Sequence, residues 1–347
     1  MVGIGIVGIG FMGMIHTLAA RGLAGGRVVA ICSRDPRKRA GDWTGIRGNF
    51  GPPGTQMDMA GIAAHAEFDS LLADPNVGLV DLCVPNDEHA RLAIRALEAG
   101  KDVLVEKPIA LRIDEADSML AAAKASGRRL MVAHVLPFFP EFAFALDAAR
   151  SGTYGNLLAA HLTRVISKPG WSGGIASADR SGGPAIDLHI HDTHFVTLLH
   201  GVPRAVHSRG VQDGAAVVHL TTQYLYEDPV PAISAISGAI SQKGREFSHG
   251  YDVYFERANL SFGFSALADG PQVCPLAVIL PDGTVERPDL GSGDPVASFS
   301  RELAVAVDAV AGGAEPDRLS GLTGRQALAV CLAEIESVRT GKIVEIS

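Results

Sequence analysis

Short, unbroken apolar runs alternating with amphipathic stretches mark the first third of the chain. Ile4–Val7 reads as a buried strand; Gly8, Gly10 and Gly13 follow it, and an apolar helix then runs to about Arg21. Val28–Cys32 is the next strand, closed by Ser33-Arg34-Asp35-Pro36. Residues 43–59, rich in glycine, proline and polar side chains, read as a surface loop. Phe68–Leu72 reads as a short helix, and Leu79–Val84 as a strand ending in Pro85-Asn86. A helix over His89–Ala99 leads to strand Asp102–Val105, which ends in Glu106-Lys107-Pro108; helix Asp114–Ser126 and strand Leu130–His134 complete the series. Apolar strands alternating with helices predict an α/β domain over residues 1–134, a Rossmann doubly wound parallel sheet.

Beyond Pro137 the period changes. A helix over Phe142–Arg150 precedes alternating stretches at Leu157–Val165, Val206–Ser208, Ala215–Tyr224, Ala232–Ser241, Tyr251–Phe255 and Ala258–Phe264. Alternation of this kind predicts a large, mostly antiparallel sheet with one face covered. Phe299–Ala311 and Arg325–Thr340 read as closing helices, so residues 135–347 form a second, α+β domain.

Composition narrows the function classes. The chain has 347 residues, 47% of them hydrophobic and 20% charged, enough for two cores. A net charge of −8 without a basic run argues against nucleic acid and anionic membranes as partners. No stretch is apolar for long enough to span a bilayer. The first strand starts at residue 2, leaving no room for a signal peptide, and the four cysteines lack C-x-x-C spacing. Together these predict free or buried thiols in a reducing cytoplasm.

The chemistry is concentrated at strand ends. In Gly8-Ile9-Gly10-Phe11-Met12-Gly13 the first glycine allows a tight turn, the second lets backbone approach a pyrophosphate, and the third lets helix pack on strand. The helix N-terminus then offers free N–H groups to the phosphates. An acid that would hold the ribose 2′-hydroxyl is expected about 20 residues further on. Ser33 stands there, with Arg34, Arg37 and Lys38 behind it, so a 2′-phosphate is favoured: NADP over NAD. Asn86, Glu106 and Lys107 lie at carboxyl ends of strands and face the same crevice. A cleft lysine such as Lys107 is suited to proton work.

A second cluster runs from Gly182 to His194. If Pro184 opens a helix, Asp187, His191 and His194 share one face at i, i+4 and i+7, and His189 points elsewhere. Asp187 one turn before His191 can orient the ring, making His191 a candidate general acid/base. The same residues could ligate a divalent metal. The run AIDLHIHDTH is also like the H-x-H strand of metal-dependent amidohydrolases. A complete dinucleotide domain ahead of it, and too little chain behind it for a barrel, weigh against that reading. No metal is expected.

IGIVGIGFMGMIH, VGLVDLCVPNDEHARLAIRALEAGKDVLVEKPIA and GGPAIDLHIHDTH together resemble the glucose–fructose oxidoreductase / inositol dehydrogenase / MocA-like family over nearly the whole chain. The resemblance implies a Rossmann domain and an α/β domain whose large sheet makes a homo-oligomer. It implies hydride transfer between nicotinamide and a sugar, cyclitol or related secondary alcohol. By the same resemblance Lys107 of the E-K-P motif contacts the substrate hydroxyl, His191 transfers its proton, and Asp187 is the acid one turn before. Glu106 would contact the nicotinamide ribose, and Pro85-Asn86, with His89 close behind, the cofactor across the cleft. Trp171 and His194 are further candidate substrate contacts. Three positions depart from the family pattern: His189 replaces a common glycine, His194 a common acid, and Pro137 a common arginine, which weakens the case for an anionic substrate. A cofactor-binding sensor without chemistry, like the galactose-regulon repressor, is the alternative. It would be expected to lack Lys107 or His191, and both are present.

Overall fold

In the computed structural model, which describes residues 1–48, 50–168, 181–227, 231–291 and 294–346, two units separate. The first comprises Met1–Phe138 with Gly293–Arg325, the second Phe139–Ser292 with Gln326–Ser347. The single boundary expected after residue 134 therefore moves to Phe138, and residues 293–325 return to the first unit. The reason is an apolar helix face: Phe299, Leu303, Ala306 and Val307 are buried, and Val307 packs on Gly26.

The first unit is built on β1 (Val2–Val7), β2 (Gly26–Cys32), β3 (Ala63–His65), β4 (Leu79–Leu82), β5 (Asp102–Glu106) and β6 (Leu130–Ala133). They form one parallel sheet in the order β3-β2-β1-β4-β5-β6. The order reverses between β1 and β4, which opens a crevice at their carboxyl ends. Helices α1 (Phe11–Ala19), α2 (Pro36–Arg39), α3 (Phe68–Leu72), α4 (His89–Glu98) and α5 (Ile113–Ser126) connect the strands. β4, β5 and β6 bury every residue, as expected of strands covered on both faces. α2 is four residues long, capped by Asp35 accepting from the Arg37 N–H at 2.9 Å, and the loop over 43–59 begins soon after it. That loop is pinned by Trp43, buried with its indole N–H donating to the Lys38 carbonyl at 2.9 Å.

In the second unit, α6 (Pro140–Ser151), α7 (Pro184–Asp187) and α8 (Ile190–His200) accompany β7 (Leu157–Ser167), β8 (Ala205–Asp213), β9 (Ala216–Leu225), β10 (Ala232–Ile240), β11 (Arg245–Phe255), β12 (Ala258–Leu267), β13 (Gly270–Ile279), β14 (Val285–Glu286) and β15 (Val344–Glu345). These strands form one sheet in the order β14-β13-β12-β11-β7-β10-β9-β8-β15. Every pairing is antiparallel except β10 with β7. Helices α9 (Pro295–Val310) and α10 (Gly321–Thr340) follow. β13 escapes sequence reading because Pro271 and Pro275 interrupt it and six of its first seven positions fall short of burial, the pattern of a strand near a sheet edge. Among the described residues, no helix is long and apolar enough to cross a membrane.

Candidate functional site

The three glycines of the turn have different surroundings. Gly8 has φ +90°, and a Cβ there would lie 2.4 Å from the Cys83 carbonyl oxygen. A Cβ on Gly13 would lie 2.2 Å from the Gly8 carbonyl oxygen, so α1 packs directly on the turn. Gly10 has no heavy atom within 4 Å of its Cβ direction, which leaves open space at the helix N-terminus. Closed, open and closed is the cradle a pyrophosphate needs.

The loop after α2 lies against this turn. Phe50 stacks on Phe299 with ring centres 5.5 Å apart and meets Phe11 edge-on at 4.8 Å. Gly48 passes so close that a Cβ there would lie 1.9 Å from the Phe11 ring. A cavity of about 340 Å³ opens here, lined by Gly10, Phe11, Asp35, Arg37, Lys38, Asp42, Ile46 and Arg47, among others. Arg37 is already engaged, donating to Asp42 from Nε at 3.0 Å and from a terminal nitrogen at 2.7 Å. Arg39 donates to the carbonyls of Ser33 and Arg34 at 2.7 and 3.0 Å and so holds the end of β2. Arg34 itself is exposed. Arg47, which sequence reading passed over as a loop residue, adds a cation to the cavity wall.

Lys107 follows β5 and is half-buried, with its backbone N–H donating to Glu106 Oε2 at 3.1 Å; the Lys107–Pro108 peptide is cis. Pro85 is exposed and Asn86 half-buried at the end of β4. His89 was expected to touch the cofactor. It is fully buried instead, with Nδ1 2.8 Å from the Pro108 carbonyl and Nε2 3.0 Å from the Val84 carbonyl. It ties the two strand-end loops together, and burial lowers its pKa.

Behind the crevice lies a group that sequence reading missed. His16 on α1 is fully buried, with Nδ1 2.8 Å from Asp81 Oδ2 and Nε2 3.2 Å from Glu106 Oε1. Its position three residues after Gly13 was visible, but its partners lie on β4 and β5 and only the fold brings them near. Glu302 on α9 is also fully buried, and neither carboxyl oxygen has a hydrogen-bond partner.

In the second unit, the single helix expected from Pro184 is broken. α7 ends at Asp187, Leu188 and His189 form a turn, and α8 starts at Ile190. Asp187 and His191, both half-buried, stand on either side of this break. His194 is fully buried, and burial pushes its pKa down to about 3, so it is neutral. His189 enters the core: Nδ1 is 2.8 Å from Ser237 Oγ and Nε2 3.0 Å from Glu334 Oε1. Trp171 lies outside the described residues. The four cysteines are free thiols, Cys32 and Cys331 buried, Cys83 half-buried and Cys274 exposed.

Residues 2–134 match the Gfo/Idh/MocA family model, described as an oxidoreductase family with an NAD-binding Rossmann fold. The chain is 33% identical over 177 residues to the uncharacterized oxidoreductase ORF334 of Rhizobium meliloti, covering 50% of this chain and 47% of that protein. The chain thus spans about half the length of that relative. It is 26% identical to an inositol 2-dehydrogenase of Rhizobium meliloti (strain 1021), covering 99% and 98% of the two chains. The fold is shared with levoglucosan dehydrogenase, solved with NADH and levoglucosan, at a TM-score of 0.78 and 21% identity over 99% of each chain.

Proposed function

We propose that this chain, whose residues 2–134 match the model of the Gfo/Idh/MocA oxidoreductase family, transfers hydride between a nicotinamide dinucleotide and a small polyol. The reacting group is a secondary alcohol, or the matching carbonyl, of a sugar, cyclitol or related molecule. The observation that carries the reading is the glycine cradle at the β1/β4 reversal, closed at Gly8 and Gly13 and open at Gly10, with Lys107 at the end of the neighbouring strand. Relatives named for inositol and levoglucosan support the substrate class.

The cofactor supplies or accepts the hydride. The chain supplies the rest. The N–H groups that open α1 bind the pyrophosphate, Lys107 polarises the substrate oxygen, and His191 takes or returns the hydroxyl proton with Asp187 fixing its ring. NADP is preferred over NAD. Ser33 stands where an acid would repel a 2′-phosphate, Lys38 and Arg47 are cations that line the cavity, and Arg34 beside Ser33 is exposed. The chain forms a homo-oligomer through the outer face of the second unit's sheet, where Ile236 and Tyr254 are 40% and 38% exposed.

Fluorescence titration with NADPH and NADH, followed by a screen of sugars and cyclitols for nicotinamide turnover, tests the reading. Failure to bind either cofactor, or binding without turnover of any polyol, would overturn it.

A further inference from the structure

The cluster behind the crevice draws on four elements of the first unit. α1 contributes His16, β4 and its end contribute Asp81 and Cys83, β5 contributes Glu106, and α9 contributes Glu302. His16 presents one ring nitrogen to each of two carboxylates, at 2.8 and 3.2 Å. Cys83 Sγ closes the other side, 3.6 Å from both His16 Nδ1 and Asp81 Oδ1. Phe299, one turn before Glu302, covers the His16 ring at 5.7 Å. No water-filled surface screens these groups, because His16, Asp81 and Glu302 are 0% exposed.

The charges decide how the cluster is arranged. Burial by itself would hold His16 neutral; the charge and hydrogen bond of Asp81 and the nearby Cys83 outweigh it and raise the pKa well above its usual value. Burial drives Glu302 the other way from its usual carboxylate range, upward, and Glu106 and Asp81 add to this against the opposing His16. The cluster thus sets the His16 ring between the Asp81 and Glu106 carboxyl groups, with the Glu302 carboxyl buried alongside. An apolar residue at position 16 would leave the Asp81 and Glu106 carboxyl groups buried together with no imidazole between them.

Glu106 divides its two oxygens. Oε1 lies 3.2 Å from His16 Nε2, an ion-pair contact in which neither atom makes a hydrogen bond, and Oε2 accepts the backbone N–H of Lys107 at 3.1 Å. One side chain therefore connects the helix that opens at the glycine turn to the strand end that carries Lys107. We propose that His16 is a positioning residue: by clamping Glu106, it sets where Lys107 stands in the crevice. This rests on the reading that Lys107 acts on the substrate. A metal centre is the competing use of His16, Asp81 and Cys83, whose donor atoms lie within 4.8 Å of one another. The 2.8 Å between His16 Nδ1 and Asp81 Oδ2 is a hydrogen-bond distance. Two ligands each about 2.0 Å from a tetrahedral ion would stand about 3.3 Å apart.

The test is a double-mutant cycle with His16→Asn and Glu106→Gln, read in kcat and in NADPH affinity, with Lys107→Ala in parallel. His16→Asn is expected to lower kcat about tenfold or more while the Kd for NADPH stays within about threefold. The double variant should be no slower than Glu106→Gln alone, because His16 acts through Glu106. Multiplicative losses, or a His16→Asn variant with normal kcat and only a lower Tm, would overturn the proposal. Nitrogen NMR of the histidines gives a readout without turnover: His16 should be doubly protonated at about pH 8 in the native protein and neutral in Asp81→Asn. A neutral His16 in the native protein, or stoichiometric bound metal, overturns the clamp even if His16→Asn fails to fold. A normal kcat in Lys107→Ala alongside a doubly protonated His16 would overturn the reading of Lys107 and leave the clamp on Glu106 standing.

Discussion

In the second unit, Arg164 pairs with Asp192 through bonds of 2.9 and 3.0 Å, and Ser237 donates to Asp192 at 2.9 Å. Ser237 also meets His189, whose other nitrogen faces Glu334. Thr193 donates to Glu334 at 3.2 Å. A guanidinium and an imidazole face two carboxyl groups one to one, and each of these side chains has a polar partner. In the first unit, one histidine serves two carboxylates, and a third carboxyl, Glu302, is buried with no partner. Both networks are sealed from water, yet only the second unit's is balanced. A balanced buried network costs little to keep and much to break. An unbalanced one stores charge excess, and it lies behind the crevice where the chemistry is proposed.

The sharpest way to break this comparison is to unbalance the second unit. Asp192→Ala leaves Arg164 buried without its counter-charge and should cost about 3–5 kcal/mol in urea unfolding. Replacing both partners, Arg164→Met with Asp192→Leu, should recover most of that loss. If the single variant is as stable as the native protein, the network is not what holds that core.

The first unit should respond in rate more than in stability. Lys107→Ala is expected to lower kcat on the order of 10²-fold with little change in Tm, and His191→Ala, in the second unit but outside its buried network, is expected to do the same. Steady-state kinetics on a polyol found in the screen decides this, and near-normal kcat in both would favour the sensor reading.

Arg34 belongs to neither network, so its loss should touch binding alone. Arg34→Ala should weaken NADPH by about 1.5–3 kcal/mol and leave NADH unchanged. Equal affinity for the two cofactors in the native protein would remove the NADP preference.

The smallest effect sharpens the comparison by pH. Burial lowers the His189 pKa, but the charge and hydrogen bond of Glu334 outweigh it, and the net shift is upward from 6.5. Its stabilising contribution is therefore complete below about pH 6.5 and is lost as pH rises through the folded-state value. Glu302, also raised, adds a slope of the same sign starting above 4.5. Unfolding free energy should fall between about pH 7 and 9 by up to about 1.4 kcal/mol per proton per pH unit. His189→Gln should remove one proton's share of that slope and leave the His16 share; an unchanged slope would show that His189 is not charged.

Local chemistry made much of this protein legible from its residues. The glycine spacing, the apolar strands of the first unit and the strand-end positions of Asn86 and Lys107 are short-range signals, and the structure places each at the end of its strand; Glu106, expected to reach the nicotinamide ribose, is buried with its oxygens turned to His16 and the Lys107 N–H. Alternation located six of the second unit's strands, because one covered face imposes a period of two. Tertiary structure alone decided the rest. Residues 293–325 return to the first unit because an apolar helix face packs beside α1 and Gly26. The helix expected to carry Asp187 and His191 together breaks at Leu188-His189, where His189 turns into the core to meet Glu334, 145 positions away. His16, Asp81, Glu106 and Glu302 lie on four separate elements, and no local pattern links them. Periodicity reports which face of a segment is buried; it carries no information about which charged group, from elsewhere in the chain, is buried against it.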